Sequence, residues 1–271
     1  MLPFSNKRQV LEACIRSNIA YLSPLNMKKL WLYQNQHYER TKLIDFERKF
    51  PNLKIKNTVE HPLKNVTDEP IFIHVSHGAK AYSWKKDRTL FFTFRGLNGV
   101  DWHDLKAICD LRPYKTKFGY VQRGYWMYMN KILPDILNQI DYHLQDINTI
   151  DLTGHSLGAT MSAIAGINLA NAFKDSGVHG VHIRCNVFGG PKICDKEFSD
   201  SFHELVPDSS HTIITKDPIP QVMNGFQHCI KKFNYIDSRN ITEDLQFTGD
   251  AYFQRYHACY RYITILESDI Y

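Results

Sequence analysis

The hydrophobic residues near the N-terminus recur every three or four positions, which is the spacing of one face of an amphipathic helix. The residues on that face are Leu11, Cys14, Ile15, Ile19 and Leu22. We expect this helix to end at Ser23, because the residue before a proline, here Pro24, avoids the helical region. A second short helix is predicted over residues 25–33, and a polar connection rich in charged residues follows at residues 34–69.

Beyond residue 70 the apolar residues form short runs, and helix-forming segments separate them. The predicted strands lie at residues 71–75, 81–84, 89–94, 147–152, 181–188, 212–215 and 229–236. The predicted helices lie at residues 125–144, with a kink or break at Pro134, at 156–172 and at 251–265. Strands that alternate with helices indicate an α/β protein with a mostly parallel sheet. We expect residues 1–271 to form a single domain that includes the N-terminal helices within residues 6–33.

The charges are spread over the chain rather than gathered into one basic stripe. Lysine and arginine number 33 against 28 acidic residues, for a net charge of +5. This distribution favours an ordinary solvated surface and disfavours a nucleic-acid partner. The six cysteines form no C-x-x-C pair, no charged leader with an apolar stretch opens the chain, and no apolar run reaches the length of a membrane span. We therefore expect reduced thiols and a cytoplasmic protein, with peripheral binding to membranes left open.

The stretch DLTGHSLGA at residues 151–159 carries the strongest candidate chemistry. Gly154 and Gly158 flank Ser156 in the pattern G-x-S-x-G, which is typical of the strand-to-helix turn that exposes the nucleophile of serine hydrolases. Because this turn strains the serine backbone and brings neighbouring chain close, the positions two before and two after it favour glycine. The helix that follows directs its N-terminal N–H groups at the reacting centre. We therefore predict that Ser156 is the nucleophile.

A nucleophilic serine needs a base and an acid, which in this kind of fold follow it in the order Asp or Glu, then His. Asp217 is the best acid, because it directly follows an apolar strand and precedes Pro218, which keeps the chain extended. Two histidines come after it, His228 and His257. The position of His257 beyond a further predicted strand favours it as the base, but the residues by themselves leave both histidines open.

Several motifs, in a fixed order along the chain, resemble those of one known family. They are FFTFRG (residues 91–96), the pairs Asp101-Trp102 and Asp104-Leu105, GHSLGA (154–159), FGGPK (188–192) and DPIP (217–220). With them the chain resembles the class 3 lipases, the fungal triacylglycerol lipase type of the α/β-hydrolase fold. This resemblance implies a mostly parallel central sheet with helices on both faces. It also implies that His257, in a His-x-x-Tyr motif with Tyr260, is the base, and that His228, in a Gly-Phe-x-His motif, is not catalytic.

Two backbone N–H groups are expected to bind the oxyanion of acyl transfer, those of Leu157, after the nucleophile, and Leu97, after the Arg-Gly loop. Class 3 lipases usually have Ser or Thr at the position of Leu97, so the side-chain hydroxyl that supports the oxyanion is absent there. The resemblance further implies a lid over the serine. Within residues 97–114, Trp102 is the candidate for contact with a lipid surface, and an ordinary helix packed on the core is the alternative.

The predicted function is hydrolysis of lipid esters, triacylglycerol or a related acyl lipid, through an acyl-enzyme intermediate. No cofactor and no metal ion are expected to take part. The expected partner is the lipid substrate, at a membrane or lipid-droplet surface. Two alternatives remain: a phospholipase or acyltransferase that uses the same triad, and a catalytically silent interaction module, which Leu97 weakly favours and the intact triad disfavours.

Overall fold

A seven-stranded sheet forms the centre of the residues that the computed structural model describes, which are 4–35, 61–74, 79–97, 109–237 and 256–268. The strands are β1 (Ile71–His74), β2 (Lys80–Lys86), β3 (Thr89–Phe94), β4 (Pro113–Thr116), β5 (Gly119–Gln122), β6 (Thr149–His155), β7 (His182–Phe188), β8 (Ser209–Ile214) and β9 (Phe233–Ile236). The sheet order is β1-β2-β3-β6-β7-β8-β9, and β4 pairs with β5 in a separate ribbon. The two pairings among β1, β2 and β3 are antiparallel, and every later pairing in the sheet is parallel.

Helices precede, connect and follow these strands. They are α1 (Phe4–Ile19), α2 (Pro24–Gln34), α3 (Arg123–Asn130), α4 (Leu133–His143), α5 (Leu157–Ser176), α6 (Lys196–Leu205) and α7 (Cys259–Ser268), with a short 3-10 helix at Ile219–Gln221. Within the described ranges, no helix combines the length and the apolar character that crossing a membrane requires.

Helices cover both faces of the sheet, and the alternation of side chains along β6 shows how. Leu152 and Gly154 face α5, where Gly158 and Gly166 allow that helix to approach closely. Ile150 and Leu152 belong to the main apolar core together with residues of α5. Because successive side chains of a strand point to opposite faces, the residues between them face the other side of the sheet, which α1 covers.

The face of β6 that α1 covers is polar. Asp151, buried at 2% exposure, pairs with Arg16 of α1 at 2.9 Å and with Arg184 of β7 at 2.8 Å. One step along the strand, the hydroxyl of Thr153 lies 2.8 Å from that of Ser17 on α1. Specific polar contacts, rather than apolar packing alone, therefore determine where α1 lies on the sheet.

We expect Asp151→Ala to lower the free energy of unfolding by about 3–5 kcal/mol, because it leaves the buried Arg16 guanidinium without its carboxylate. Urea unfolding monitored by circular dichroism measures the loss. Asp200→Ala is the matched control, since Asp200 also pairs with two cations, Lys196 and Lys231, but at the surface, where ion pairs contribute little. Equal losses in the two variants would contradict a stabilising role for the buried network.

Most of the expected strands and helices are confirmed, and a few differ in their bounds or were not expected. The predicted helix over residues 125–144 is two helices, α3 and α4, and Pro134 lies in the first turn of the second. The ribbon of β4 and β5 and the helix α6 were not predicted. In the tail predicted as a helix over residues 251–265, Tyr256 and His257 are helical, Ala258 interrupts the helix, and α7 begins at Cys259. Residues 36–60 of the polar connection and 98–108 of the segment with Trp102 lie outside the described ranges.

Candidate active site

Ser156 lies at the turn between the end of β6 and the start of α5. Its backbone has φ 59° and ψ −124°, a conformation that costs a residue with a Cβ atom about 1–3 kcal/mol. Cβ atoms at Gly154 and Gly158 would collide with the backbone of Gly158 and Phe94, respectively. The backbone N–H of Ser156 donates to the carbonyl of Phe188 at 2.9 Å, which ties the turn to the end of β7. The surrounding strands therefore hold the serine in its strained conformation.

The side chains of Ser156, His257 and Asp217 form one chain of hydrogen bonds. Nε2 of His257 lies 2.8 Å from Oγ of Ser156, and Nδ1 lies 2.9 and 2.8 Å from Oδ1 and Oδ2 of Asp217. His257 is 3% exposed and Asp217 is 1% exposed, so little water competes for these contacts. In such an arrangement the histidine can take the proton of the serine hydroxyl while the carboxylate holds its tautomer.

Two further donors satisfy the buried carboxylate of Asp217. The backbone N–H of Ile219 donates to Oδ1 at 2.9 Å, and the hydroxyl of Tyr262 on α7 donates to Oδ2. Burial, and then the negative charge of Asp217, raise the pKa of Tyr262 well above its ordinary value, so this hydroxyl remains a donor. Tyr262 was not among the residues predicted from the sequence. Its place shortly after His257 was the available signal, and it does not distinguish Tyr262 from Tyr260.

His228 lies in a different environment from His257. It lines a small cavity together with His211, and the centroids of the two imidazole rings are 4.8 Å apart. Burial, followed by the positive charge of Lys192, lowers the pKa of His228 to about 4. The histidine that contacts Ser156 is thus His257. His228 is a neutral side chain that packs beside His211.

A cavity of about 580 Å³ lies beside Ser156, which is within the usual range of about 300–1,000 Å³ for small-molecule sites. Leu97 and Leu157, the two residues expected to bind the oxyanion, both contribute to its wall. Much of the remaining wall is apolar, including Ile219 and Val222. Trp102 lies outside the described residues, so its role at a lid stays a prediction.

No metal site accompanies the cavity in the part of the chain that the structure describes. Nowhere in those ranges do three or more His, Cys, Asp or Glu side chains gather in a way that could hold a metal ion.

Comparisons with known sequences point to one family. The family described as Lipase (class 3) matches residues 91–226, about half of the chain. Lipase ZK262.3 of Caenorhabditis elegans is 28% identical over 137 residues, which cover 49% of this chain and 35% of that protein. Phospholipase A1-II 2 of Oryza sativa subsp. indica is 30% identical over 81 residues, which cover 28% of this chain and 20% of that protein. The chain thus matches about a third or less of the length of these relatives.

The similarity of fold extends further than the similarity of sequence. The structure of Rhizomucor miehei lipase with its propeptide is 14% identical and aligns with a TM-score of 0.59, over 98% of this chain and 80% of that chain. The α/β-hydrolase fold expected from the sequence is therefore confirmed. The family match includes Ser156 and Asp217 and ends before His257. This chain belongs to the class 3 lipase family.

Proposed function

We propose that the protein is a serine carboxylester hydrolase that acts on lipid esters. The observation that carries this proposal is the hydrogen-bonded chain from Oγ of Ser156 through His257 to Asp217, at the wall of a largely apolar cavity. Membership of the class 3 lipases supports ester hydrolysis as the reaction. The apolar wall supports an acyl chain as the part of the substrate that binds there.

In the proposed reaction, Oγ of Ser156 attacks the ester carbonyl carbon while Nε2 of His257 takes the hydroxyl proton. The oxyanion that forms is bound by the backbone N–H groups of Leu157 and Leu97, each of which contributes on the order of 10²–10³ in rate. His257 then gives its proton to the departing alcohol, and the acyl group remains on Ser156. A water molecule, deprotonated by His257, attacks the acyl-enzyme and releases the fatty acid.

Asp217 keeps the proton of His257 on Nδ1, so that Nε2 is free to act as the base. The hydrogen bonds from Ile219 and Tyr262 to its carboxylate limit the cost of keeping this negative charge buried. Charge-assisted hydrogen bonds to a fixed carboxylate also stabilise the imidazolium that forms in the transition state.

A phospholipase with the same triad is the second candidate, and the match to the rice phospholipase A1-II 2 favours it. A lipase and a phospholipase would share all the chemistry at Ser156. They would differ in the head group that the residues around the cavity admit.

We expect the purified protein to release p-nitrophenol from butyrate and palmitate esters, with Ser156→Ala as the blank. Emulsified triacylglycerol and phosphatidylcholine vesicles, compared by titration of the released fatty acid, distinguish the two candidates. Faster hydrolysis of triacylglycerol supports the lipase, and faster release from the vesicles supports the phospholipase. If the wild-type protein is no faster than Ser156→Ala on any of the four substrates, the proposal of ester hydrolysis is wrong. The alternative of a catalytically silent interaction module is then supported.

A further inference from the structure

His155, the residue before the proposed nucleophile, is buried next to the rings of His257 and Tyr262. It is 3% exposed, and its ring centroid lies 4.6 Å from that of His257 and 5.7 Å from that of Tyr262. Burial, and then the positive charge that His257 can carry, lower the pKa of His155 well below its ordinary value. His155 is therefore a neutral imidazole in van der Waals contact with the histidine that contacts Ser156.

One hydrogen bond connects His155 to the N-terminal part of the chain. Nδ1 of His155 lies 2.9 Å from the hydroxyl oxygen of Tyr21, in the turn between α1 and α2. This is the next contact after Asp151 and Thr153 along the polar face of β6 that α1 covers. Tyr21 is partly buried against the apolar cluster that includes Tyr262.

The hydroxyl of Tyr21 also lies against the loop that is expected to bind the oxyanion. A Cβ atom at Gly96 would overlap Oη of Tyr21 and would lie 2.7 Å from the carbonyl oxygen of His155. Gly96, which directly precedes Leu97, thus leaves room for the hydroxyl of Tyr21. Tyr21, His155 and Leu97 all contribute to the wall of the cavity beside Ser156.

We propose that Tyr21 and His155 form a positioning pair for this site. Their hydrogen bond fixes the His155 ring as the surface on which the His257 ring rests, and it holds the Gly96–Leu97 backbone at a set distance from Ser156. Neither side chain takes up or donates a proton in the reaction. The inference rests on the proposed function, because it assigns the pair an effect on the reaction at Ser156.

Tyr21→Phe removes only the hydroxyl, and Tyr82→Phe is its matched control. Tyr82 is a buried tyrosine whose hydroxyl donates to the carbonyl of Leu22 at 2.8 Å, in the same N-terminal segment. We expect Tyr21→Phe to lower kcat for a butyrate ester by about 10- to 100-fold with KM nearly unchanged, the loss expected when reacting groups are misplaced by about 1 Å. Tyr82→Phe should retain the wild-type kcat, although both variants lose one buried hydrogen bond.

Two substitutions of His155 test whether the pair acts as a unit. His155→Asn places an amide atom near the former position of Nδ1 and can still bond to Tyr21, so it should retain more activity than His155→Leu. The double variant Tyr21→Phe/His155→Leu should be no worse than His155→Leu, because the two losses are not additive. Additive losses, or full activity in His155→Leu, would overturn the pairing.

A spectroscopic measurement separates this inference from the proposed function. The proton on Nδ1 of His257, bonded to Asp217, should give a low-field resonance in the proton NMR spectrum. We expect this resonance to broaden in Tyr21→Phe and to remain sharp in Tyr82→Phe. An unchanged resonance together with an unchanged kcat in Tyr21→Phe overturns the positioning pair while leaving hydrolysis at Ser156 intact. A wild type without esterase activity overturns the proposed function, and the resonance still tests whether Tyr21 orders His257.

Discussion

Ser156→Ala is expected to lower kcat for a soluble butyrate ester by about 10³–10⁶-fold, because it removes the hydroxyl that is proposed to form the acyl-enzyme. Asp217→Asn and His257→Ala should lose nearly as much. In the proposed reaction Ser156, His257 and Asp217 serve one proton transfer, so we expect the double variants to be no slower than Ser156→Ala alone. Initial rates of p-nitrophenol release, with the spontaneous rate subtracted, measure these losses.

Covalent labelling tests the same assignment without turnover. A serine-reactive phosphonate should modify Ser156 of the wild-type protein, and mass spectrometry of peptides identifies the labelled residue. Ser199→Ala is the matched control, since Ser199 is a buried serine whose hydroxyl donates to the carbonyl of Cys229. Ser199→Ala should be labelled and active like the wild type, and Ser156→Ala should not be labelled. Equal labelling of Ser156→Ala would disprove the assignment of the nucleophile.

The second large effect separates the two histidines that follow Asp217. We expect His257→Gln to retain almost no activity, with a loss of about 10³-fold or more, because Nε2 of His257 is the atom that contacts Oγ of Ser156. His228→Gln should retain most activity, since His228 packs against His211 in a separate cavity. Circular dichroism and thermal melts establish that both variants fold. The reverse order of activities would assign the base to His228.

His228 should instead affect stability in acid. The pKa of His228 is lowered to about 4 in the folded protein, whereas a histidine in the unfolded chain has a pKa of about 6.5. Between these values the unfolded state binds more protons, so the native state loses stability as the pH falls from about 6.5 to about 4. His228→Gln removes this contribution, and urea unfolding at several pH values should show a weaker pH dependence than for the wild type.

The turn at the nucleophile was predictable from the sequence, because the two glycines that it requires lie within one short motif. Gly154 leaves space for the backbone of Gly158 in the same motif, whereas the space that Gly158 leaves is taken by the backbone of Phe94 on β3. The motif therefore indicates the turn, and the neighbouring strand helps to hold it. Asp217 was predictable for a similar reason. An apolar strand followed by Asp-Pro puts the carboxylate at the carboxyl end of a parallel strand, where functional groups of such sheets gather.

The strands of the central sheet were largely predictable, and the elements that were missed lack the same apolar pattern or allow two interpretations. Runs rich in apolar residues indicated the strands of the central sheet, since strands buried within a core are rich in such residues. The ribbon of β4 and β5 was missed because Pro113–Thr116 and Gly119–Gln122 are short and mostly polar. Whether the chain from Lys131 to Leu133 bends or breaks was also open, because Pro134 is compatible with a kink and with the start of a new helix.

The sequence by itself determined the strained turn at Ser156, the strand that leads to Asp217 and the family to which the chain belongs. The resemblance to the class 3 lipases already implied His257 rather than His228, and in the structure His257 contacts the serine. Only the tertiary structure decided that Tyr262 rather than Tyr260 donates to Asp217, and that Tyr21 reaches His155 across 134 positions of the chain. The physical reason is the separation in sequence between the residues that make contact. Turns and strands arise from neighbouring residues, whereas these contacts depend on how α1 and α7 pack against each other and on the sheet, and no local pattern encodes that packing.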